Sequence, residues 1–205
     1  MIPGIIIATL PLLAAVTAAP QGNATPPTAP PSTTTTTATP SFTPVGVEYY
    51  LQAQPLNENP SDVVNNYVST YHSGAGTNNV TLIAQSAATK AFLNPVGGYQ
   101  EFDLGTSYPW GFAMGGELGV ETGGETAIKG AYLVSIDVGV GDAGFSIPST
   151  EVGLTWNSTA FGGWLACNIT GQTTGLQLFW LNRTEERRGK APEGCERVRL
   201  APEYF

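Results

Sequence analysis

The chain has 205 residues, of which 41% are hydrophobic and 12% charged, and its formal net charge is −8. An acidic chain of this kind repels phosphate backbones, which argues against nucleic-acid binding. With 1 histidine and 2 cysteines it has few ligands for a zinc site. Asp137 and Asp142, around a glycine loop, could supply two oxygen ligands for calcium, but a turn at the end of a strand is the favoured interpretation. We expect no metal and no cofactor.

The first 19 residues have the pattern of a secretory signal peptide. The stretch from Ile5 to Val16 is apolar and uncharged, and small residues follow it. This stretch is too short to span a bilayer core of about 30 Å. An uncleaved membrane anchor is the weaker alternative, because Thr9 and Pro11 interrupt the run. We therefore expect residues 1–19 to be removed and the mature protein to be secreted, with no membrane span.

Residues 20–44 are dominated by Thr and Pro and include the run Thr33–Thr37. This segment has few apolar side chains to offset the entropy lost on ordering, so it is predicted to be disordered. Its composition is typical of an O-glycosylated stalk, with a plain flexible linker as the alternative. Residues 45–205 then form a single predicted domain, long enough to have its own core.

Acceptor triplets of the form Asn-x-Ser/Thr recur along the chain, as expected for an exported glycoprotein. One of them directly follows Cys167 in an apolar run, which favours a buried position for that asparagine. The five acceptors are Asn23, Asn79, Asn157, Asn168 (the one after Cys167) and Asn182.

Short apolar runs bounded by Gly, Pro, Asn and Asp predict an all-β domain. Many short strands with frequent turns favour an antiparallel sandwich or a jelly-roll-like fold. At most one short helix is expected, over Ser61–Val68, with Ser61 as its N-cap. The predicted strands are Glu48–Gln54, Val80–Ala84, Tyr99–Leu104, Gly111–Leu118, Ala131–Val138, Leu154–Trp156, Trp164–Ile169, Leu176–Asn182 and Val198–Pro202.

The two cysteines, Cys167 and Cys195, are predicted to form a disulfide, which is the default state in an exported chain. Closing a loop of about 29 residues stabilises a fold by ~3–4 kcal/mol. The bridge would tie the end of the chain to the strand that contains Cys167. The segment Gly171–Gly175 is the predicted loop of a hairpin that joins this strand to the strand of Trp180.

No catalytic residues are nominated. His72 is the sole histidine, and the chain has no G-x-S-x-G nucleophile elbow. Glu101 and Asp103 are two residues apart and share one face of a strand, which places them too close together to straddle a glycosidic bond. A secreted, glycosidase-like hydrolase whose carboxylates converge only in the fold stays the alternative.

Aromatic side chains are the remaining indication of function. Trp164 and Trp180 lie in apolar strands and are expected in the core. Tyr108 and Trp110 flank a proline in a predicted exposed turn, so they are the candidates for stacking on sugar rings. His72, in a glycine-rich turn, is the third candidate for binding. The leading hypothesis is non-catalytic binding to carbohydrate or a cell-wall polymer.

The C-terminal half carries three recognisable motifs, which are Phe161–Cys167 (FGGWLAC), Leu176–Trp180 (LQLFW) and Cys195–Tyr204 (CERVRLAPEY). They resemble an uncharacterised family of small secreted proteins of filamentous ascomycete fungi that have a domain of unknown function. The upstream stretches His72–Gly76 and Trp110–Gly111 also look similar to that family. The resemblance implies a fungal extracellular origin and a β-rich fold. It implies no activity, because none is established for the family.

Overall fold

The computed structural model of the chain describes residues 43–57, 61–117, 128, 130–169, 175–186 and 190–205. The predicted signal peptide, the stalk up to residue 42 and the acceptor Asn23 lie outside the described residues. No helix within these ranges is long and apolar enough to cross a membrane.

The described chain folds into β-strands, with a 3-10 turn at Gln85–Ala87 and one helical turn, α1, at Arg183–Glu186. This confirms the all-β class. The strands are β1 (Glu48–Pro55), β2 (Asn66–Gly74), β3 (Thr77–Ala84), β4 (Lys90–Asn94), β5 (Tyr99–Asp103), β6 (Trp110–Glu117), β7 (Ala131–Val138), β8 (Phe145–Ser146), β9 (Thr155–Trp156), β10 (Phe161–Asn168), β11 (Leu176–Asn182) and β12 (Cys195–Tyr204).

The main sheet closes on itself as a nine-stranded barrel, in the order β1, β4, β5, β6, β7, β3, β11, β10 and β12. Every ladder among the described strands is antiparallel. The remaining long strand, β2, pairs with β3 along its length and with β1 at two residues. The short strands β8 and β9 form a separate hairpin.

The expectation of a sandwich or jelly-roll was wrong. One edge of β1 pairs with β12, and its other edge is shared between β2 and β4, so both edges of this strand are paired. Strand β11 likewise pairs with β10 on one edge and with β3 and β7 on the other. Closure removes the unpaired edges that two separate sheets would present.

The inward-facing side chains form the main hydrophobic core. In β1 the inward residues Tyr49, Leu51 and Ala53 are at most 2% exposed. Because side chains alternate along a strand, Tyr50 and Gln52 point outward. Large aromatic rings fill the interior, and each fully buried one contributes ~1.5–3 kcal/mol. They include Phe102, Phe112, Phe145, Trp164 and Trp180.

A second apolar cluster lies on the other face of β10 and β11. Leu165 of β10 is directly opposite Phe179 of β11, and both are buried. Trp164 and Trp180, one residue away in each strand, face the main core. Strand β11 is therefore buried on both faces along its apolar run, residues 178–181.

The predicted disulfide is confirmed. Cys167 in β10 and Cys195 at the start of β12 are joined, and they lie directly opposite each other in the β10–β12 ladder. The backbone N–H of Asn168 donates to the carbonyl of Gly194 at 3.0 Å, so the two cysteines occupy a pair without mutual backbone bonds. The bridge fixes the last strand to the barrel.

The helix expected over Ser61–Val68 was wrong. The hydroxyl of Ser61 accepts a bond from the N–H of Val63 at 3.0 Å, as a cap does. The chain then makes a single turn and adopts a left-handed φ of 63° at Asn65, which ends it. Extended strand β2 begins at the next residue.

Candidate functional site

The predicted sugar-stacking pair lies at the start of β6, but only one of its members is exposed. Tyr108 is 46% exposed, whereas Trp110 is 8% exposed and belongs to the main core. The indole N–H of Trp110 donates to the Thr106 hydroxyl at 2.8 Å. Trp110 is buried because it is the inward-facing partner of Phe102 in β5. The expectation of an exposed Trp110 ring was wrong.

His72 is exposed on β2 and lies on a different part of the barrel from Trp110. The ladder runs from His72 to Asn78 in β3, from Asn78 to Ile136 in β7, and from Ile136 to Phe112 in β6. Strands β3 and β7 therefore separate His72 from the strand of Trp110. The three predicted binding residues do not form one site.

A different surface brings aromatic and polar side chains together, on the outer face of β12, β1 and β2. Tyr50 is directly opposite Glu203, and Gln52 is directly opposite Tyr67. Gln85 reaches this face from the 3-10 turn that follows β3. We call this surface the Tyr50 face, which comprises Tyr50, Gln52, Gln54, Tyr67, Gln85, Arg199, Glu203 and Phe205.

A row of hydrogen bonds crosses the Tyr50 face. The guanidinium of Arg199 donates to Gln54 Oε1 at 2.6 Å. The amide of Gln54 donates to Gln52 Oε1, and the amide of Gln52 donates to the Tyr67 hydroxyl at 3.1 Å. Each member has its position set by the next, so the row is held in one arrangement.

Glu203 ends this row and accepts two bonds. Its Oε2 accepts from the Tyr67 hydroxyl at 2.6 Å, and its Oε1 accepts from the Gln85 amide at 2.7 Å. The hydrogen bond to Glu203 raises the pKa of the Tyr67 phenol above its ordinary value, and burial adds to this effect. Tyr67 therefore stays protonated and remains a donor to this carboxylate.

Aromatic rings border the row. The rings of Tyr50 and Phe205 are 5.1 Å apart, and Phe205 is 66% exposed. The ammonium of Lys90 lies 5.2 Å from the centre of the Phe205 ring and bonds to Glu48 at 3.3 Å. The face thus combines accessible ring surface with fixed donors and acceptors, which is the chemistry that recognises polyols.

Two carboxylates on neighbouring strands lie elsewhere and have backbone between them. Glu101 and Asp137 are both directly opposite Gly111, in β5 and β7. The backbone of Val140 and Gly141 packs against the Cα atom of Gly111. This crossing segment occupies the space between the two acids, which leaves no cleft there for a sugar.

Glu101 is a buried acid with a structural environment. Its side chain is on the outer face of β5, yet the residue is only 1% exposed. Its Oε1 accepts from the Asn94 amide at 3.1 Å, and burial raises its pKa above the ordinary value. Within the described ranges no three His, Cys, Asp or Glu side chains are grouped as metal ligands.

A polar cavity of about 300 Å³ lies beside the disulfide. The turn before β2 forms one wall, where the Ser61 hydroxyl donates to Glu196 Oε2. Asp62 and Asn168 also line it.

The predicted glycosylation acceptors differ in their exposure. Asn168 is exposed, so the expectation that this acceptor is buried was wrong. It is the last residue of β10, where the apolar run ends. Of the other described acceptors, Asn157 is exposed, and Asn79 and Asn182 are half-buried.

The Tyr50 face was missed at the sequence level because its members come from four separate segments. The alternation of Tyr50, Gln52 and Gln54 with apolar residues was the available signal, since it marks an outward row of polar groups.

One protein family, described as a domain of unknown function (DUF7907), matches residues 46–204. Comparison with curated proteins found no match, and comparison with solved structures found none either. The matched region runs from just before β1 to the last residue of β12. The chain belongs to the DUF7907 family.

Proposed function

We propose that this protein is a secreted, non-catalytic binder of neutral carbohydrate, and that the Tyr50 face is its binding surface. The observation that carries the proposal is the pairing of Tyr50 with the exposed Phe205, 5.1 Å apart, beside the hydrogen-bonded row that ends at Glu203. Aromatic rings offer an apolar face to the C–H groups of a sugar, while amides and carboxylates bond its hydroxyls.

The fixed arrangement of the row favours binding. Gln52 and Gln54 each have both a donor and an acceptor, and their orientations are set by Tyr67 and Arg199. Because these side chains are ordered before a ligand arrives, less conformational entropy is lost when it binds. Flexible glutamines on an open strand would lack this advantage.

Charge favours a neutral polymer. The formal net charge of −8 repels polyanionic glycans. The two cations near the face already have partners: Lys90 is paired with Glu48, and Arg199 donates to Gln54 and to the carbonyl of Glu151. A β-glucan or chitin, which lacks acidic groups, is the class of ligand that this surface suits.

Several features support a fungal extracellular setting as part of the same proposal. The chain begins with a signal-peptide pattern and a Thr/Pro-rich segment, and its C-terminal motifs resemble secreted ascomycete proteins. The disulfide between Cys167 and Cys195 suits an oxidising compartment. A neutral cell-wall polymer is therefore the ligand that we propose.

The test is co-sedimentation of the mature protein with insoluble chitin, β-1,3-glucan and cellulose. We expect retention on at least one polymer, and Tyr50→Ala or Phe205→Ala to weaken it about tenfold, which corresponds to ~1.4 kcal/mol. Tyr108→Ala, which removes an exposed ring outside the Tyr50 face, is the matched control and leaves binding unchanged. Loss of binding in the control alone would move the site to Tyr108.

The same incubations distinguish binding from hydrolysis. Reducing ends are assayed after prolonged contact with each polymer, and a non-catalytic binder releases none above the level of the blank. Release of reducing ends above the blank would instead favour the hydrolase and would contradict non-catalytic binding.

A further inference from the structure

We propose that Asn79 carries an N-linked glycan and that its first N-acetylglucosamine packs against the ring of Tyr71. By its sequence alone, Asn79 is one of five asparagines in acceptor triplets, and nothing in the triplet distinguishes it from the others. The pairing of β2 with β3 distinguishes it, because it places an exposed aromatic ring beside this acceptor.

The alternation of β3 sets the direction of the acceptor. Asn78, Val80 and Leu82 are each at most 5% exposed and face inward. Asn79 and Thr81 therefore lie on the outward face, and both are partly exposed. The asparagine and the hydroxyl residue of its triplet are thus on the accessible side of the barrel.

Tyr71 is the direct partner of Asn79 in the β2–β3 ladder and is 53% exposed. Side chains of directly opposite residues share one face, with Cβ atoms about 4.5–5.5 Å apart. The other neighbour of Asn79 is Ser135 of β7, whose short side chain leaves room on that flank. A sugar on Asn79 would have the Tyr71 ring on one side and the short Ser135 side chain on the other.

The other acceptors within described strands lack such a ring. Asn168 is directly opposite Leu176, and Asn182 is directly opposite Phe161. Phe161 is 9% exposed and belongs to the main core, so its ring is not available to a sugar. Among the acceptors that lie in described strands, Asn79 alone is paired with an exposed aromatic residue.

The attachment uses the ordinary chemistry of the secretory pathway. The amide nitrogen of Asn79 forms a bond to C1 of the first N-acetylglucosamine of a lipid-linked oligosaccharide diphosphate. The bond from C1 to the diphosphate breaks, the amide nitrogen loses a proton, and the lipid diphosphate leaves. The C–H groups of the sugar then face the Tyr71 ring, an arrangement that an apolar ring surface favours.

The packing predicts that the glycan stabilises the fold through Tyr71. The full chain is secreted from yeast as the wild type, Asn79→Gln, Tyr71→Ala and the double variant. An endoglycosidase then trims every glycan to one N-acetylglucosamine. We expect mass spectrometry to find that sugar on Asn79, and Asn79→Gln to lower Tm by about 2–4 °C when Tyr71 is present.

In the Tyr71→Ala background, Asn79→Gln should change Tm by less than about 1 °C. In the Tyr71→Phe background, which keeps the ring, Asn79→Gln should again lower Tm by the full amount. In the control background Tyr108→Ala, Asn79→Gln should lower Tm by the same amount as in the wild type. The same variants made in the bacterial periplasm, without glycans, give the baseline. An unmodified Asn79, or an equal loss of Tm with and without the Tyr71 ring, would overturn the proposal.

Discussion

The phenol of Tyr67 donates a 2.6 Å hydrogen bond to Glu203 Oε2, although the two residues are 136 positions apart in the chain. The bond joins β2 to β12 across the intervening β1. The other oxygen of Glu203 holds Gln85, in the turn after β3. One carboxylate therefore fixes the Tyr67 end of the polar row and joins it to Gln85.

Tyr67→Phe should loosen this row. The substitution keeps the buried ring but removes the hydroxyl that donates to Glu203 Oε2. We therefore expect the free energy of unfolding to fall by ~1–2 kcal/mol. Denaturant unfolding of the purified protein measures this change. Tyr108→Phe, which removes a hydroxyl from an exposed tyrosine, should stay within ~0.5 kcal/mol of the wild type. Equal stabilities for the two variants would show that the row contributes nothing to folding.

Glu101 should make stability depend on pH. Burial raises the pKa of this carboxyl above the ordinary 4.5, so the folded protein binds the proton more tightly than the unfolded chain. This tighter proton binding contributes fully to the stability of the fold below the unfolded-state pKa of Glu101. The contribution is lost as the pH rises through the higher folded-state pKa. The protein should thus lose stability as Glu101 ionises.

Glu101→Gln removes this loss, since a glutamine oxygen can still accept from the Asn94 amide. We expect its Tm to exceed that of the wild type at neutral pH and to match it near about pH 4, where both side chains are uncharged. The control is Glu193→Gln, which replaces an exposed carboxylate. A Tm difference that does not vary with pH would contradict this account.

Gly111→Ala should be strongly destabilising. A Cβ atom at this position would collide with the carbonyl oxygen of Val140, where the chain crosses over β6. The crossing segment is held by backbone hydrogen bonds from Gly139 to Pro109 and from Asp142 to Phe112, so it cannot move away freely and we expect a loss of about 1–3 kcal/mol. Gly74→Ala is the matched control, since a Cβ there meets nothing within 4 Å. Thermal unfolding of both variants tests the crossing.

Removal of the disulfide should destabilise the fold without changing its topology. We expect Cys167→Ala with Cys195→Ala to lower the free energy of unfolding by ~3–4 kcal/mol, because the unfolded chain gains the freedom of an open loop. Denaturant unfolding of this double variant gives the value, and circular dichroism checks that the strands persist. A loss below ~1 kcal/mol would mean that the β10–β12 ladder holds without the bridge.

The sequence predicted individual strands better than their partners. Strands β7 and β11 were predicted with their observed bounds, because an alternating or continuous apolar run is a local signal. Strand β2 was missed because its second half, Tyr71–Ser73, is exposed and polar and its start follows a turn that resembles a helix cap. Closure of the barrel depends on the pairing of β1 with β4, which no local pattern encodes.

The binding surface was harder to predict for the same reason. Trp110 was nominated because a proline and a tyrosine precede it, yet its register opposite Phe102 directs it inward. Tyr50 and Phe205, the pair that borders the polar row, lie at opposite ends of the folded region. Only the β1–β12 ladder brings them together.

The most direct test of carbohydrate binding at the Tyr50 face is a titration of the labelled protein with soluble chitin and β-glucan oligosaccharides, followed by amide NMR shifts. We predict saturable shifts that concentrate at Tyr50–Gln54, Gln85 and Arg199–Phe205. Shifts confined to Gly105–Trp110 or to the cavity around Ser61 and Glu196 would contradict this location. Absence of shifts with every oligosaccharide would contradict the proposed function.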